Sequence, residues 1–178
     1  LELMDKLGVQ VEDKTQEALT SLKSEGKTAV LVSLDGQVIG ILGIADPIRE
    51  TTSAMIKRLK EVGVKRIVML TGDDRLTAQN IARQAGIEEV RAELLPEDKL
   101  AVIRDLQKDG YVVAMVGDGI NDAPALAAAD IGIAMGAAGT DIAIETADIA
   151  LMSDDLMKLP EAIRLSKATL HNIYQNVF

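Results

Sequence analysis

Residues 115–126 read Met-Val-Gly-Asp-Gly-Ile-Asn-Asp-Ala-Pro-Ala-Leu, a glycine-rich turn between an apolar run and a helix-like segment. The apolar residues 111–116 predict a strand, and Pro124 suits the first turn of a helix that begins at Asp122. Asp118 and Asp122 therefore follow a strand end, where hard oxygen ligands suit Mg²⁺, a cation that prefers carboxylates, phosphate oxygens and water. The alternative is a structural turn in which Asp122 caps the helix. The two roles do not exclude each other.

The segments around this turn alternate between strand-like and helix-like patterns. Strands are predicted at 64–70, near Val90, and at 111–116, 131–135 and 148–152, with helices at 51–62, 75–85, 97–108, 122–128, near 141–145 and from about 155 onward. Strands that alternate with helices of about 10–15 residues make β-α-β units and a parallel sheet. Ligands of such sheets bind outside the carboxyl ends of the strands, so the loops after Leu70, Val116 and Met135 are the candidate sites.

The first 44 residues follow a different pattern. A short helix is predicted at 15–24, and two apolar runs at 27–34 and 37–44 flank Asp35-Gly36. An Asp-Gly pair between two apolar runs is a strong signal for a β-hairpin.

Three further short motifs carry polar groups at predicted element ends. Thr71-Gly72-Asp73-Asp74 follows the strand that ends at Leu70, and its hydroxyl and amides could hold a phosphoryl oxygen, although an ordinary turn with an aspartate cap has the same sequence. Lys99 lies in the first turn of a helix, where it is either a solvated side chain or a group that neutralises phosphate. Residues 46–49, Asp-Pro-Ile-Arg, could be a simple turn between the hairpin and the α/β region.

The composition excludes several classes of protein. The chain of 178 residues has 28 acidic and 19 basic residues and a net charge of −9, which argues against a nucleic-acid partner. It has no cysteine, so these residues form neither a disulfide nor a thiolate metal site. Residues 1–20 do not have the pattern expected of a signal peptide, and we expect no membrane-spanning segment, since no run of about 18 apolar residues is present.

The motifs are more specific when they are considered together, in their order along the chain. Thr-Gly-Asp, a lysine on a helix and Gly-Asp-Gly-x-x-Asp, each at a predicted element end, resemble a haloacid-dehalogenase-like phosphotransferase. Five longer sequence motifs are similar to those of P-type ATPases. They are Asp-Pro-Ile-Arg at 46–49, Thr-Gly-Asp-Asp at 71–74, Pro-Glu-Asp-Lys at 96–99, the stretch 116–126 and Gly-Thr-Asp at 139–141. The resemblance covers nearly the whole chain. It implies an α/β fold, a Rossmannoid parallel sheet with helices on both faces plus a hairpin piece of a nucleotide-binding domain.

The resemblance also implies a reaction in which an aspartate attacks the γ-phosphate of ATP and the aspartyl-phosphate drives transport. Carried onto this chain, Thr71 and Gly72 would hold the phosphoryl group, and Asp73 would support their loop. Lys99 would balance the phosphoryl charge. Preorganised charges of this kind supply most of the catalysis in phosphoryl transfer.

The remaining implied roles concern Mg²⁺ and the hinge. Asp118 would bind Mg²⁺ together with Asp122, and Asn121 and Asp122 would complete the catalytic site. Asp46 and Arg49 would lie at the hinge between the nucleotide-binding and phosphorylation domains. They are grouped with Thr71 and Gly72 as the expected contacts of the ATP cofactor.

The nucleophile expected from the resemblance, the aspartate of an Asp-Lys-Thr-Gly-Thr motif, is absent. Asp13-Lys14-Thr15 matches the first three residues of that motif, but Gln16 replaces the glycine and no apolar strand precedes Asp13. We therefore expect residues 1–44 to be the C-terminal piece of the nucleotide-binding domain and 45–165 to be a phosphorylation domain without its nucleophile strand. Residues 166–178 would approach the next transmembrane helix. The fragment is expected to be inactive alone.

The expected partners follow from this organisation. They are the missing nucleophile strand, the rest of the nucleotide-binding domain, and the actuator and transmembrane domains of one longer chain at the cytoplasmic face of a membrane.

The sequence of residues 135–152 and 165–170 resembles that of heavy-metal transporters, with the Zn²⁺/Cd²⁺/Pb²⁺ branch favoured over the copper branch. A copper transporter, a free-standing phosphatase of the same superfamily and a non-catalytic module that binds Mg²⁺ or phosphate are the alternatives. The phosphatase would need an Asp-x-Asp after an early strand, and this chain has none.

Overall fold

The computed structural model describes residues 2–45, 48–117, 120–135, 141–153 and 155–177. Its helices are α1 (Glu2–Lys6), α2 (Asp13–Ser24), α3 (Thr52–Glu61), α4 (Arg75–Ala85), α5 (Pro96–Lys108), α6 (Ala123–Ala128), α7 (Asp141–Thr146) and α8 (Lys158–Val177). Its strands are β1 (Thr28–Leu34), β2 (Gln37–Ile44), β3 (Val68–Leu70), β4 (Glu89–Arg91), β5 (Ala114–Gly117), β6 (Ile131–Met135) and β7 (Ile149–Leu151).

The chain divides into two compact units. Leu1–Glu50 and Ile67–Glu93 form the first unit, and Thr51–Arg66 and Leu94–Phe178 form the second. The predicted domains 1–44, 45–165 and 166–178 remain a prediction about a longer protein. Within the described residues, no helix combines the length and the apolar character that a membrane crossing requires.

The first unit contains an antiparallel hairpin and a parallel strand pair. β1 and β2 join through Asp35 and Gly36, which both have positive φ, 49° and 78°. Two consecutive residues with positive φ give the turn twist that suits a two-residue hairpin, which confirms the Asp-Gly prediction. Helix α2 packs on the hairpin, because a Cβ on Gly43 would meet the Leu22 side chain at 3.0 Å. β3 and β4 pair in parallel, and α4 connects them.

The second unit is built on a parallel sheet with the order β5-β6-β7. Its core is aliphatic, as the scarcity of aromatic residues requires, and Leu126 and Ala134 are almost completely buried. Gly132 in the central strand β6 lies against α6, because a Cβ there would meet the Leu126 carbonyl oxygen at 2.7 Å. The parallel sheets and connecting helices confirm the predicted α/β class.

Two aspartates tie neighbouring strands of this sheet together. The Asp130 carboxylate accepts a hydrogen bond from the Val113 N–H at 2.8 Å, and Asp148 accepts one from the Gly132 N–H at 2.8 Å. Each aspartate directly precedes a strand and reaches the chain of the strand beside it. The Val113 N–H, with further help from Gln107, holds the pKa of Asp130 below its usual value.

Several predicted boundaries are wrong, and two short elements, α1 and the 3₁₀ turn Ile120–Asp122, were missed. The strand predicted at 111–116 is observed at Ala114–Gly117, because Tyr111 donates its N–H to the Leu106 carbonyl and so belongs to the end of α5. The predicted strand 64–70 begins only at Val68, because Val64 donates its N–H to the Leu59 carbonyl and so ends α3. The last helix begins at Lys158 instead of about 155, since Asp155 forms a separate turn through Met157 and Lys158. The predicted strand 148–152 shortens to Ile149–Leu151.

Candidate functional site

The loop after β3 is stabilised by its own polar groups. The Thr71 hydroxyl donates to the Asp73 carboxylate at 2.9 Å, and the Asp73 N–H donates back to the Thr71 oxygen at 3.1 Å. The Asp73 carbonyl accepts a hydrogen bond from the Glu93 N–H at 2.8 Å, which ties the loop to the segment after β4. Gly72 lies between these groups and is exposed. Thr71 and Asp73 thus form a hydrogen-bonded loop at the carboxyl end of β3, where the sequence pattern predicted it.

Asp74 is the aspartate that caps the helix after this loop. Its Oδ1 accepts from the Leu76 and Thr77 N–H groups at 3.2 and 3.4 Å, and its Oδ2 accepts from the Thr77 hydroxyl at 2.8 Å. Partial burial acts to raise the pKa of Asp74, but the Thr77 bonds, the nearby Lys23 and the Leu76 N–H outweigh it and lower that pKa. Because Asp74 performs the capping, Asp73 remains available to support Thr71.

Lys99 is not a solvated surface lysine. Its Nζ lies 2.7 Å from the Asp122 Oδ1, and the two side chains are only 15% and 14% exposed. Lys99 reaches Asp122 from the first turn of α5, and Asp122 ends a 3₁₀ turn, Ile120–Asp122, that follows β5. A lysine with no other role would extend into water from such a position. Here it places a positive charge at the loop that follows β5.

Asp122 does not cap α6, so the predicted capping role is wrong. Its backbone is helical, with φ −95° and ψ −13°, and its side chain accepts no hydrogen bond from the helix. An N-cap needs an extended backbone, which the 3₁₀ turn excludes. The carboxylate packs against the end of β5 instead, because a Cβ on Gly117 would meet the Asp122 Oδ2 at 2.9 Å. Gly117 therefore provides the space that Asp122 occupies.

The other predicted site residues contribute less to the described geometry. Asn121 is exposed beside Asp122, and Arg49 is exposed after the hairpin. Asp46 and Asp118 lie outside the described residues. Their roles remain predictions.

The described donors fit Mg²⁺ only in part. The described residues include no cluster of three or more metal-ligating side chains. Asp122 offers one carboxylate, whose Oδ1 already accepts from Lys99. Mg²⁺ binds through one or two carboxylates together with phosphate oxygens and water, so a small donor set is chemically adequate. The fit depends on Asp118, which the described residues do not include.

The predicted site residues belong to two different units. Thr71, Gly72 and Asp73 lie in the first unit, and Lys99, Asn121 and Asp122 lie in the second. The structure shows the local environment of each group, and the meeting of the two groups at one phosphate remains a prediction.

Sequence reasoning missed two buried polar residues. Thr77 and Asn80 on α4 are only 1% and 8% exposed. The Asn80 amide donates to the Ser24 carbonyl, 56 positions away, and the Thr77 hydroxyl lies 3.4 Å from the Lys27 carbonyl, 50 positions away. A polar residue on the helix face that also carries Ala78 and Ala82 was the available signal, because such a residue must find a partner.

Comparisons with known proteins identify the family of this chain. The model of a family described as a haloacid dehalogenase-like hydrolase matches residues 1–130, so the chain belongs to that family. The chain is 52% identical over 96% of its length to a probable cadmium-transporting ATPase of Listeria monocytogenes, of which it covers 24%. It is 50% identical over 98% of its length to a zinc-exporting P-type ATPase of Mycobacterium marinum, of which it also covers 24%. A manganese-exporting P-type ATPase of Mycobacterium tuberculosis is 51% identical, with 94% of this chain and 23% of the relative covered.

Comparison with solved structures also identifies metal-transporting ATPases. The chain matches a zinc-transporting PIB-type ATPase in the E2.Pi state with a TM-score of 0.78 and 45% identity, over 94% of this chain and 27% of the other. It also matches the catalytic domain of the CPx-ATPase CopB-B, with a TM-score of 0.61 and 37% identity, over 75% and 52% of the two chains. The resemblance to metal-transporting P-type ATPases is therefore confirmed, and the chain spans about a quarter of the curated relatives it matches.

Proposed function

We propose that this chain is part of the cytosolic ATP-hydrolysing region of a P-type ATPase that exports Zn²⁺, Cd²⁺ or Pb²⁺ through an aspartyl-phosphate. The observation that carries the proposal is the Lys99–Asp122 pair, held at 2.7 Å beside the end of β5. Cadmium- and zinc-transporting relatives at 50–52% identity support the choice of cargo. Manganese is a second candidate, because a manganese-exporting relative is 51% identical.

The pair has a direct use in phosphoryl transfer. Negative charge lies on the equatorial oxygens of the transferred group, and catalysis depends mainly on groups positioned to stabilise that charge. Asp122 fixes the Nζ of Lys99 while most of both side chains is shielded from water. Lys99 then needs little reorganisation when a phosphoryl group arrives, which is the condition under which an electrostatic donor is most effective.

The loop after β3 would hold the phosphoryl group. In this proposal the amide of Gly72 donates to the phosphoryl group, and the Thr71 hydroxyl does so when its proton turns away from the Asp73 carboxylate, which accepts it at 2.9 Å here. Asp118 and Asp122 would hold Mg²⁺, which when bound neutralises phosphate charge. Asp46 and Arg49 would contact ATP at the hinge, and Asn121 would complete the site beside Asp122.

The acceptor of the phosphoryl group would come from elsewhere in a longer protein. That protein would supply the nucleophile strand, the remainder of the nucleotide-binding domain, and the actuator and transmembrane domains. This chain would lie at the cytoplasmic face of the membrane. We therefore propose that the residues of this chain hold and neutralise the phosphoryl group, while another segment of the longer protein accepts it.

Replacement of Asp118 by alanine tests the Mg²⁺ assignment in the full-length ATPase. We expect labelling of the protein by [γ-³²P]ATP to fall by at least about 10²-fold, because the proposed cation site would be lost. Binding of the transported metal in the membrane should persist, which equilibrium dialysis with Zn²⁺ or Cd²⁺ would measure. Asp109→Ala is the control, since Asp109 is an exposed aspartate at the end of α5. Normal labelling of the Asp118→Ala protein would refute the Mg²⁺ role.

A further inference from the structure

A partly buried polar contact joins α2 and the turn that follows it to α4 in the first unit. The Asn80 Nδ2 donates to the Ser24 carbonyl at 2.5 Å, and the Thr77 hydroxyl lies 3.4 Å from the Lys27 carbonyl. The Lys23 Nζ lies 3.5 Å from the Asp74 Oδ2. We call these three pairs the α2–α4 contact.

Asn80 is the central member of this contact. The Thr77 hydroxyl has one proton, and its 2.8 Å bond to Asp74 is much shorter than its approach to Lys27, so Thr77 serves mainly the helix cap. Asn80 instead directs its amide protons out of its own helix. Its Oδ1 accepts from Arg83 and Gln84 on α4, which fixes the orientation of the amide. Gly26, with φ 80°, allows the close approach, since a Cβ there would lie 3.2 Å from the Asn80 Nδ2.

The contact is not needed to fill the core. Ala78, Ala82 and Ala85 on α4 are at most 3% exposed and already supply an apolar face. A buried amide is costly unless it is paired, and an apolar residue at position 80 would avoid that cost. The polar side chain of Asn80 therefore serves the link to Ser24 and not the packing of the core.

The α2–α4 contact lies between two segments that have proposed functions. On one side, Asp74 directly follows the Thr71–Asp73 loop, which is proposed to hold the phosphoryl group. On the other side, Ser24 and Lys27 flank the turn into β1, whose first residue, Thr28, pairs with Ile44 at the end of β2. The chain then enters residues 46–49, the proposed hinge. The contact thus connects the phosphate-holding loop to the base of the hairpin at the point where that hairpin would pivot.

We infer that Asn80 is a positioning residue: it holds the hairpin piece of the nucleotide-binding domain against α4, so that ATP is presented to the Thr71–Asp73 loop. The inference rests on the proposed function. The Asn80 amide is engaged by Ser24, Arg83 and Gln84, so its proposed role acts through the position of the hairpin. Its loss should therefore impair phosphorylation from ATP, which needs the nucleotide-binding piece. It should spare phosphorylation from inorganic phosphate, which reaches the loop without that piece.

The experiment compares two sources of phosphate in the full-length ATPase. Asn80→Asp keeps the size of the side chain and removes its donor, and Gln79→Glu makes the same amide-to-carboxylate change on the exposed face of the same helix. Acid-quenched proteins are labelled either with [γ-³²P]ATP or with [³²P]phosphate and Mg²⁺ without nucleotide. For Asn80→Asp we expect the initial rate of labelling from ATP to fall about tenfold, the effect of losing about one buried hydrogen bond. Labelling from inorganic phosphate should stay within about twofold, and Gln79→Glu should match the unsubstituted protein in both assays.

The other outcomes each contradict the inference. Equal losses from both sources would show that Asn80 only stabilises the fold, and unchanged labelling from ATP would show that the contact is irrelevant to phosphorylation. Gly26→Ala, which crowds Asn80 from the α2 side, should reproduce the selective loss and so guards against an effect of the added charge. Absence of label from both sources in the unsubstituted protein would instead overturn the proposed function, and the inference with it.

Discussion

Replacement of Lys99 by methionine should lower the rate of phosphoenzyme formation from ATP in the full-length ATPase by about 10²–10³-fold, the usual effect of removing one positioned electrostatic donor. The same substitution leaves the Asp122 carboxylate, 14% exposed, without the ammonium group that lies 2.7 Å from it. An uncompensated, largely buried charge should also lower the free energy of unfolding of this chain by about 1–3 kcal/mol. Rapid-quench labelling and urea titration measure the two effects separately.

A second substitution separates the catalytic effect from the structural one. In Lys99→Met/Asp122→Asn both charges are gone, so most of the lost stability should return while phosphoenzyme formation stays low. Lys108→Met is the matched control on the same helix, because the Lys108–Asp105 pair is 74% and 71% exposed. Exposed pairs contribute little, so this variant should change stability by less than about 0.5 kcal/mol. Recovery of phosphorylation in the double variant would contradict the charge-balancing role of Lys99.

Gly132→Ala should be the most destabilising single-methyl change in the described sheet. The added Cβ would lie 2.7 Å from the Leu126 carbonyl oxygen and 3.5 Å from the Ala147 Cα, both of which are backbone atoms. Backbone cannot rotate aside as a flexible side chain can, so β6 and α6 would have to separate. Overpacking of this kind costs about 1–3 kcal/mol, which for a chain of this size lowers Tm by about 3–10 °C.

Gly40→Ala is the control for that prediction. Gly40 is also a strand glycine, but an added Cβ has no atom within 4 Å. Its replacement should leave stability within about 0.5 kcal/mol or raise it slightly, because alanine reduces the entropy of the unfolded chain. Differential scanning calorimetry of both variants measures the two changes in Tm. Equal melting temperatures for the Gly132→Ala and unsubstituted proteins would show that β6 and α6 are not packed as closely as described.

The elements that could be predicted from sequence are those with local signals. Asp35-Gly36 specifies its own turn, since both residues adopt positive φ there. Helix α4 was predicted with its observed bounds, because Asp74 caps its start and Gly86, with φ 78°, ends it. The motif positions at the ends of β3 and β5 could also be predicted, since they follow from the general geometry of parallel sheets.

The features that could not be predicted depend on distant partners. The sequence around Lys99 allows a solvated side chain, and its ion pair with Asp122, 23 positions away, appears only in the folded chain. Asp122 has the residue type of a helix cap, yet the 3₁₀ turn that directs it to Lys99 also excludes it from capping. Val64 and Ile67 are residue types that favour a strand, but the Val64 N–H is used by the end of α3. Asn80 pairs with a carbonyl 56 positions away.

The most direct test of the central claim uses the 178-residue chain itself. The claim is that these residues hold and neutralise the phosphoryl group but do not accept it. Incubation with [γ-³²P]ATP and Mg²⁺, followed by acid quench and gel analysis, should therefore give no hydroxylamine-sensitive label on this chain. A stoichiometric, acid-stable and hydroxylamine-sensitive label would contradict the account, because it would place the phosphorylated carboxylate within these residues.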